Sequence, residues 1–217
     1  MTKLPGVVAL VAILQVGCSV VGVRTAEELK YTVVEAEESF EVRSYAPYIA
    51  AEASTTDSDN VNSSLFRILA GYIFGKNTTE ESIPMTAPVV MEAENDTSEK
   101  IAMTAPVIME EGSGGSWTMA FSMPAEYNMN TLPKPLDDRI TLVEVPARTL
   151  AVIRYSGSFS NRDKREKMKE ALLRWVDTHP SYIAKGEAFY AGYDPPFTMP
   201  FLRRNEVLLE VSPAPSP

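Results

Sequence analysis

Phe40-Glu41-Val42-Arg43-Ser44-Tyr45-Ala46-Pro47-Tyr48-Ile49-Ala50-Ala51-Glu52-Ala53 reads as two strands joined at a corner. Phe40 and Val42 alternate with Glu41 and Arg43, the period of a strand with one buried face. Ala46-Pro47 turns the chain and Tyr48 to Ala53 returns as the second strand. Polar Thr55 to Asn60 then leads into a helix that starts near Asn60 to Ser63, where several side chains could cap it, and ends at Gly75. The same order recurs about a hundred residues later. Ile140 to Val145 is a strand, Pro146-Ala147 a corner, and Thr149 to Tyr155 the return strand. Ser156 to Ser160 supplies capping residues for a helix over Arg162 to Asp177, with Asp163 favourable in its first turn.

Two more strands follow each helix. After the second they are Ala188 to Tyr193 and Asn205 to Val211. After the first they are a phrase written twice, Ile83-Pro84-Met85-Thr86-Ala87-Pro88-Val89-Val90-Met91 and Ile101-Ala102-Met103-Thr104-Ala105-Pro106-Val107-Ile108-Met109. Both copies are rich in Val, Ile, Thr and Met, and each carries an internal Pro suited to an edge, a bulge or a strand start. Tyr31 to Ala36 and Trp117 to Met123 are further strands, and Pro124 to Asp138 is a long loop. Sequential antiparallel strands with two separated helices make this an α+β domain. The expected form is a pseudo-twofold curved antiparallel sheet or distorted β-barrel with two flanking helices.

The chain has 217 residues, 45% of them hydrophobic, enough for one sizeable core. Its formal net charge is −9 and no basic stripe stands out, so nucleic acid is not an expected partner. One Cys precludes an intrachain disulfide, and one His leaves few options for catalysis or metal binding. Residues 1–23 read as a leader: Lys3, an apolar run from Val7 to Val16 too short for a typical spanning helix, then Gly17-Cys18-Ser19. That layout is a signal peptide ending at a lipoprotein cleavage site, with Cys18 lipidated. The match is imperfect, since Leu14 sits one position early and Gln15 occupies the usual Leu place. The expected product is an exported, lipid-anchored protein, facing the periplasm from the outer membrane. The domain proper is 24–211, a monomer, and 212–217 is a disordered Pro/Ser tail. Sequons at Asn62, Asn77 and Asn95 carry no weight in a bacterial lipoprotein.

The first helix has an unusually wide apolar arc. Leu65, Ile68, Leu69 and Tyr72 form one stripe, and Phe66, Ala70 and Ile73 extend it to about 200°, where a helix on a core needs about 100°. Either the helix is buried on two sides, or the Phe66, Ala70 and Ile73 flank lines a groove for an apolar ligand. The second helix shows a single stripe, Met168, Ala171, Leu172, Trp175 and Val176, with a charged opposite face. His179 sits at its end before Pro180 and reads as a surface residue; the methionines on strands read as core filler. No Ser-His-Asp or Cys-His set, phosphate loop or metal-ligand cluster is present, so an enzyme is not expected.

Taken together, Ala70-Gly71-Tyr72-Ile73-Phe74-Gly75, Met103-Thr104-Ala105-Pro106-Val107, Ala191-Gly192-Tyr193-Asp194-Pro195-Pro196 and Arg203-Arg204-Asn205-Glu206-Val207 resemble the SOUL haem-binding protein family over about 31–211. The resemblance implies a twofold-repeated barrel with two helices. It also implies haem or a related tetrapyrrole in a shallow apolar groove beside the first helix. Carried onto this chain, the site would take Phe66, Arg67, Ala70, Ile73, Lys76, Met199 and Arg203, with Arg67 and Lys76 the basic groups near the helix and no metal ligand assigned. Two other readings stay open: a module for another amphipathic small molecule, similar to the effector-binding domains of multidrug-responsive regulators, and an envelope interaction protein without a small ligand.

Overall fold

The computed structural model describes residues 26–57, 61–78, 98–195 and 197–215. The leader, Cys18, and the first copy of the doubled phrase lie outside the described residues. In chain order the strands are β1 (Glu27–Glu28), β2 (Tyr31–Glu37), β3 (Phe40–Tyr45), β4 (Tyr48–Thr55), β5 (Asn77–Thr78), β6 (Thr104–Ala105) and β7 (Val107–Glu111). They continue as β8 (Trp117–Ser122), β9 (Lys134–Pro135), β10 (Ile140–Val145), β11 (Arg148–Tyr155), β12 (Tyr182–Ala184), β13 (Phe189–Gly192) and β14 (Asn205–Pro213). The helices are α1 (Val61–Ile73) and α2 (Arg162–Thr178).

The described residues fall into two compact units. A mid-chain unit takes Glu27–Lys30 and Tyr45–Arg148; a terminal unit takes Tyr31–Ser44 and the chain from Thr149 onward. Each is an antiparallel sheet carrying one helix, so the α+β class and the twofold order hold.

In the mid-chain unit the sheet runs β10-β4-β8-β7, with Ala51 between Leu142 and Phe121. Helix α1 packs on β4 and β8. The small buried residues Ala51 and Ala53, on one face of β4, leave room for Leu65, Leu69 and Tyr72, all fully buried. The helix ends as its sequence dictates. Gly75 takes φ +112°, its N–H donates to Tyr72 O at 3.3 Å, and the Lys76 N–H donates to Gly71 O at 2.9 Å. This pair of bonds is the Schellman stop, for which glycine is the least strained residue. Asn77 is buried just beyond. Its Nδ2 donates to Tyr72 O (2.7 Å) and Glu99 O (2.8 Å) and its Oδ1 accepts from Glu99 N (2.9 Å), so it pins the helix end to the chain that returns at residue 98.

In the terminal unit the order is β13-β14-β11-β3-β2, with β12 also on β14, and α2 packs on β12 and β14. Its core holds a carboxylate. Glu206 is fully buried and accepts from Arg43 Nη1 and Nη2 (2.9 and 3.1 Å), Arg204 Nε (2.8 Å) and Tyr193 OH (2.6 Å). Burial alone would raise its pKa. The hydrogen bonds from Arg43 and the charges of Arg43 and Arg204 outweigh that and hold it below the ordinary value.

Three local readings change. Helix α2 is capped by Asn161, whose Oδ1 accepts from Lys164 N at 3.0 Å, rather than by Ser156 to Ser160. An amide side chain immediately before Arg162 reaches the orphan N–H that the earlier serines cannot. The last strand continues past Val211 into the expected tail: Ser212 and Pro213 pair with Ile183 and Tyr182, and Ala214 N donates to Ser181 O at 2.8 Å. The edge offered by β12 overrides the Ser/Pro composition, and Pro213 stands at the strand end where a missing N–H costs little. The loop from Pro124 contains β9, which pairs with β5 through Asn77↔Pro135 and Thr78↔Lys134.

Candidate functional site

On α1 the apolar arc divides. Val61, Leu65, Leu69, Tyr72 and Ile73 are buried. Ile73, at 1% exposure, belongs to this core and not to an open flank. The flank beside this core carries Phe66 (37% exposed), half-buried Ala70 and, one residue past the helix and farthest from the core, Phe74 (61% exposed). Phe74 N still donates to Ala70 O at 3.0 Å, so the i, i+4, i+8 spacing holds and the three side chains line up over about 12 Å. The Phe66 ring is braced from behind by an edge contact with buried Phe121, centroids 5.4 Å apart. An apolar stripe left in water on a helix with a well-filled core side marks a binding surface more readily than a scattered apolar residue does.

Cations border the stripe. Arg67 and Lys76 are exposed, and neither forms an ion pair among the described residues. The Schellman turn directs Lys76 back across the helix. Its Cδ lies 3.1 Å from where a Cβ on Gly71 would stand, so the glycine makes room for the lysine stem. Asp137, within electrostatic reach of Lys76, is already engaged by Arg139 at 2.8 and 2.6 Å; that hydrogen bond holds its pKa at about 2. Among the described residues no carboxylate pairs with the lysine ammonium. Phe74 lies within the range read as the first helix, which ends at Gly75, yet outside the stripe expected there; the i, i+4 step from Ala70 recovers it.

The other expected site residues belong to the terminal unit. Met199 is 42% exposed, between exposed Phe197 and Phe201 and next to the short 3-10 turn Pro200–Leu202. Arg203 Nε donates to Thr198 O at 2.7 Å and so braces this loop. Arg204 is a core group, bonded to Glu206 and stacked over the Tyr193 ring at 3.8 Å.

His179 departs from its reading as a surface residue: its side chain is 8% exposed. The ring lies between Trp175 and Tyr182, with centroids at 4.7 and 5.0 Å. Ser181 N donates to Nδ1 and Nε2 faces Glu35 Oε1, both at 3.2 Å. Its nitrogens are occupied within the terminal unit. Among the described residues no group of three or more His, Cys, Asp or Glu side chains is placed to hold a metal ion.

A family model described as "SOUL heme-binding protein" matches residues 26–95 and 91–210. The chain is 27% identical over 173 residues to "Heme-binding protein 2" of Homo sapiens, covering 79% of this chain and 77% of that one. It is likewise 27% identical over 174 residues to the protein of the same name from Mus musculus, with the same coverage. Among solved structures, the EcmrR C-terminal domain superposes with a TM-score of 0.55 at 9% identity, over 84% of this chain and 98% of that one. At that identity the likeness is one of fold alone.

Proposed function

Because the chain belongs to the SOUL haem-binding protein family, which is a family of binding proteins, we propose that it binds haem or a related tetrapyrrole without catalysis on the outer face of α1. The observation that carries this is the Phe66, Ala70, Phe74 stripe, with both phenylalanines exposed, bordered by Arg67 and Lys76. A tetrapyrrole is a planar apolar body with anionic propionates. The two phenylalanines and the small Ala70 offer a flat apolar bed, and the two cations meet the carboxylates by charge-assisted hydrogen bonds. The residues present fit that half of the ligand. They do not offer a His or Cys ligand for iron, since His179 is taken up by Glu35 and Ser181; the bed holds the macrocycle by apolar contact and the propionates by charge.

The test is a hemin titration of the purified chain, followed by the Soret band and by native mass spectrometry. A saturable one-to-one complex, weakened when Phe66 and Phe74 are both replaced by Ala, supports the reading. Absorbance that rises without saturation, or a complex indifferent to the double substitution, rejects it. The proposal extends to export and to acylation of the Cys18 thiol, supported by the apolar run that precedes Gly17-Cys18. A mass measurement of the mature N-terminus decides: an intact residue 1 or an unmodified Cys18 rejects the anchor.

A further inference from the structure

We propose that the mid-chain unit holds a second small-molecule site, a cleft for an amphipathic organic cation. The cleft encloses about 670 Å³, within the range of small-ligand pockets. It lies between the two corners that follow β3 and β10 and the segment after β8. Pro47, Ile49, Met123, Val145 and the rings of Tyr48 and Tyr127 give it apolar walls.

Both rings are fixed. The Tyr127 hydroxyl donates to Glu99 Oε1 at 2.6 Å, and the Tyr48 hydroxyl accepts from Arg148 Nη2 at 2.9 Å. Their polar ends are thus satisfied; the Arg148 guanidinium also lies 6.0 Å from the Tyr48 ring centroid, so the ring surface offered to a cation is that of Tyr127. The hydrogen bond to Glu99, with burial, pushes the Tyr127 phenol up to about 12, so it stays a neutral donor. At the base of the cleft the Thr104 and Ser122 hydroxyls, 2.9 Å apart, bond each other. The floor and walls therefore ask for an apolar body.

The rim sets the sign of the ligand. Glu27, Glu28 and Glu144 line the cleft against a single ammonium, Lys30. Glu27 and Glu144 form no ion pair among the described residues. Aromatic ring faces and carboxylates both attract a cation, and the net charge of −9 adds long-range steering of the same sign. A propionate-bearing tetrapyrrole meets the opposite field here, which makes this site distinct from the α1 face and its cations.

Fluorescence anisotropy with rhodamine 6G, a flat lipophilic cation, against fluorescein, an anion on a related ring system, tests the proposal on the purified full-length chain. The expected result is saturable rhodamine 6G binding with fluorescein at least about tenfold weaker. Glu27→Gln with Glu144→Gln is expected to weaken rhodamine 6G about three- to tenfold, the effect of removing two partly exposed charges. Ala125→Trp, at an exposed position lining the cleft, is expected to abolish binding by filling it, with the hemin titration unchanged in both variants. Equal binding of the two dyes overturns the proposal, as does rhodamine 6G affinity that neither variant alters. Loss of hemin binding in step with rhodamine 6G also overturns it, because the two ligands would then share one site.

Discussion

Helices α1 and α2 occupy the same place in the two halves of the repeat, each after a strand, a Pro-containing corner and a return strand, yet their outer faces are opposites. α1 has one charged residue, Arg67, and presents Phe66, Ala70 and Phe74 outward. α2 carries Arg, Asp, Lys and Glu over most of its surface. Its aromatic residue, Trp175, is spent inside its own unit, stacked on Phe40 at 5.1 Å and donating Nε1–H to Glu37 at 2.9 Å. The terminal unit also houses the buried Glu206 network. The contrast is one of helix faces: α2 is solvated outward and α1 is apolar outward, while the exposed Phe197, Met199 and Phe201 of the terminal unit lie outside its helix. The position in the fold does not decide the character of that face; the side chains pointing away from the sheet do.

The sharpest way to break that contrast is Glu206→Gln. It leaves Arg43 and Arg204 buried without their anion, and removing one partner of such a network costs about 3–5 kcal/mol. Urea denaturation at neutral pH measures the loss. The pH dependence follows from the sign of the shift. The carboxylate is held below its unfolded value of about 4.3, so its contribution is fully present above that value and is lost as pH falls through the lower folded value. Wild-type stability should drop on acidification from about pH 4, and the variant should show a flatter slope there. A neutral-pH loss under about 1 kcal/mol would remove the network from its structural role.

The next effect falls on the other half. Phe66→Ala with Phe74→Ala should weaken hemin about tenfold, as expected for losing the apolar bed. The stability cost should exceed the roughly 0.5–1.5 kcal/mol of the Phe66–Phe121 edge contact by the burial of Phe66, and stay below the roughly 3–5 kcal/mol of a fully buried Phe. Leu69→Ala, on the buried side of the same helix, should cost about 2–5 kcal/mol. If Phe66→Ala costs as much as Leu69→Ala, α1 is a two-sided core helix and the contrast with α2 disappears.

A smaller effect belongs to the charge. Lys76→Gln removes an exposed ammonium, worth about 0.2–1 kcal/mol, so hemin affinity should fall about two- to fivefold and the fall should shrink at high salt. An equal loss at low and high salt would make the lysine a packing residue for Gly71.

The strand–corner–strand–helix order was legible because it rests on local signals: alternation along Phe40 to Arg43, prolines at both corners, and glycine at 75 to stop α1. The site was legible only in part. Phe66 and Ala70 stood out by period, but Ile73 fell on the core side, because a wide arc does not say where the sheet ends. Phe74 fell inside the expected helix but outside the arc drawn on it, although it stands four residues past Ala70. The Glu206 network was not readable at all, since Arg43 and Glu206 lie far apart in sequence and only the folded sheet brings them together. Arg204 beside it looked like one of a pair with Arg203, although one stacks in the core and the other holds a loop.

The smallest expected effect is also the one that tests the binding chemistry most directly. His179 is the single histidine of the chain and the obvious iron ligand by residue type. Its Nδ1 accepts from Ser181 N, which places the proton on Nε2 toward Glu35. Both nitrogens are engaged, and the ring is packed between Trp175 and Tyr182. To ligate iron it would have to leave both hydrogen bonds and two aromatic contacts. His179→Ala should therefore leave the position and height of the hemin Soret band unchanged. Its effect should appear instead as lower stability of the terminal unit, by about 1 kcal/mol for the lost hydrogen bonds. A shifted Soret band with unchanged stability would reverse the assignment: the histidine would then leave its packed position to take the metal, and apolar contact with α1 would no longer account for the complex.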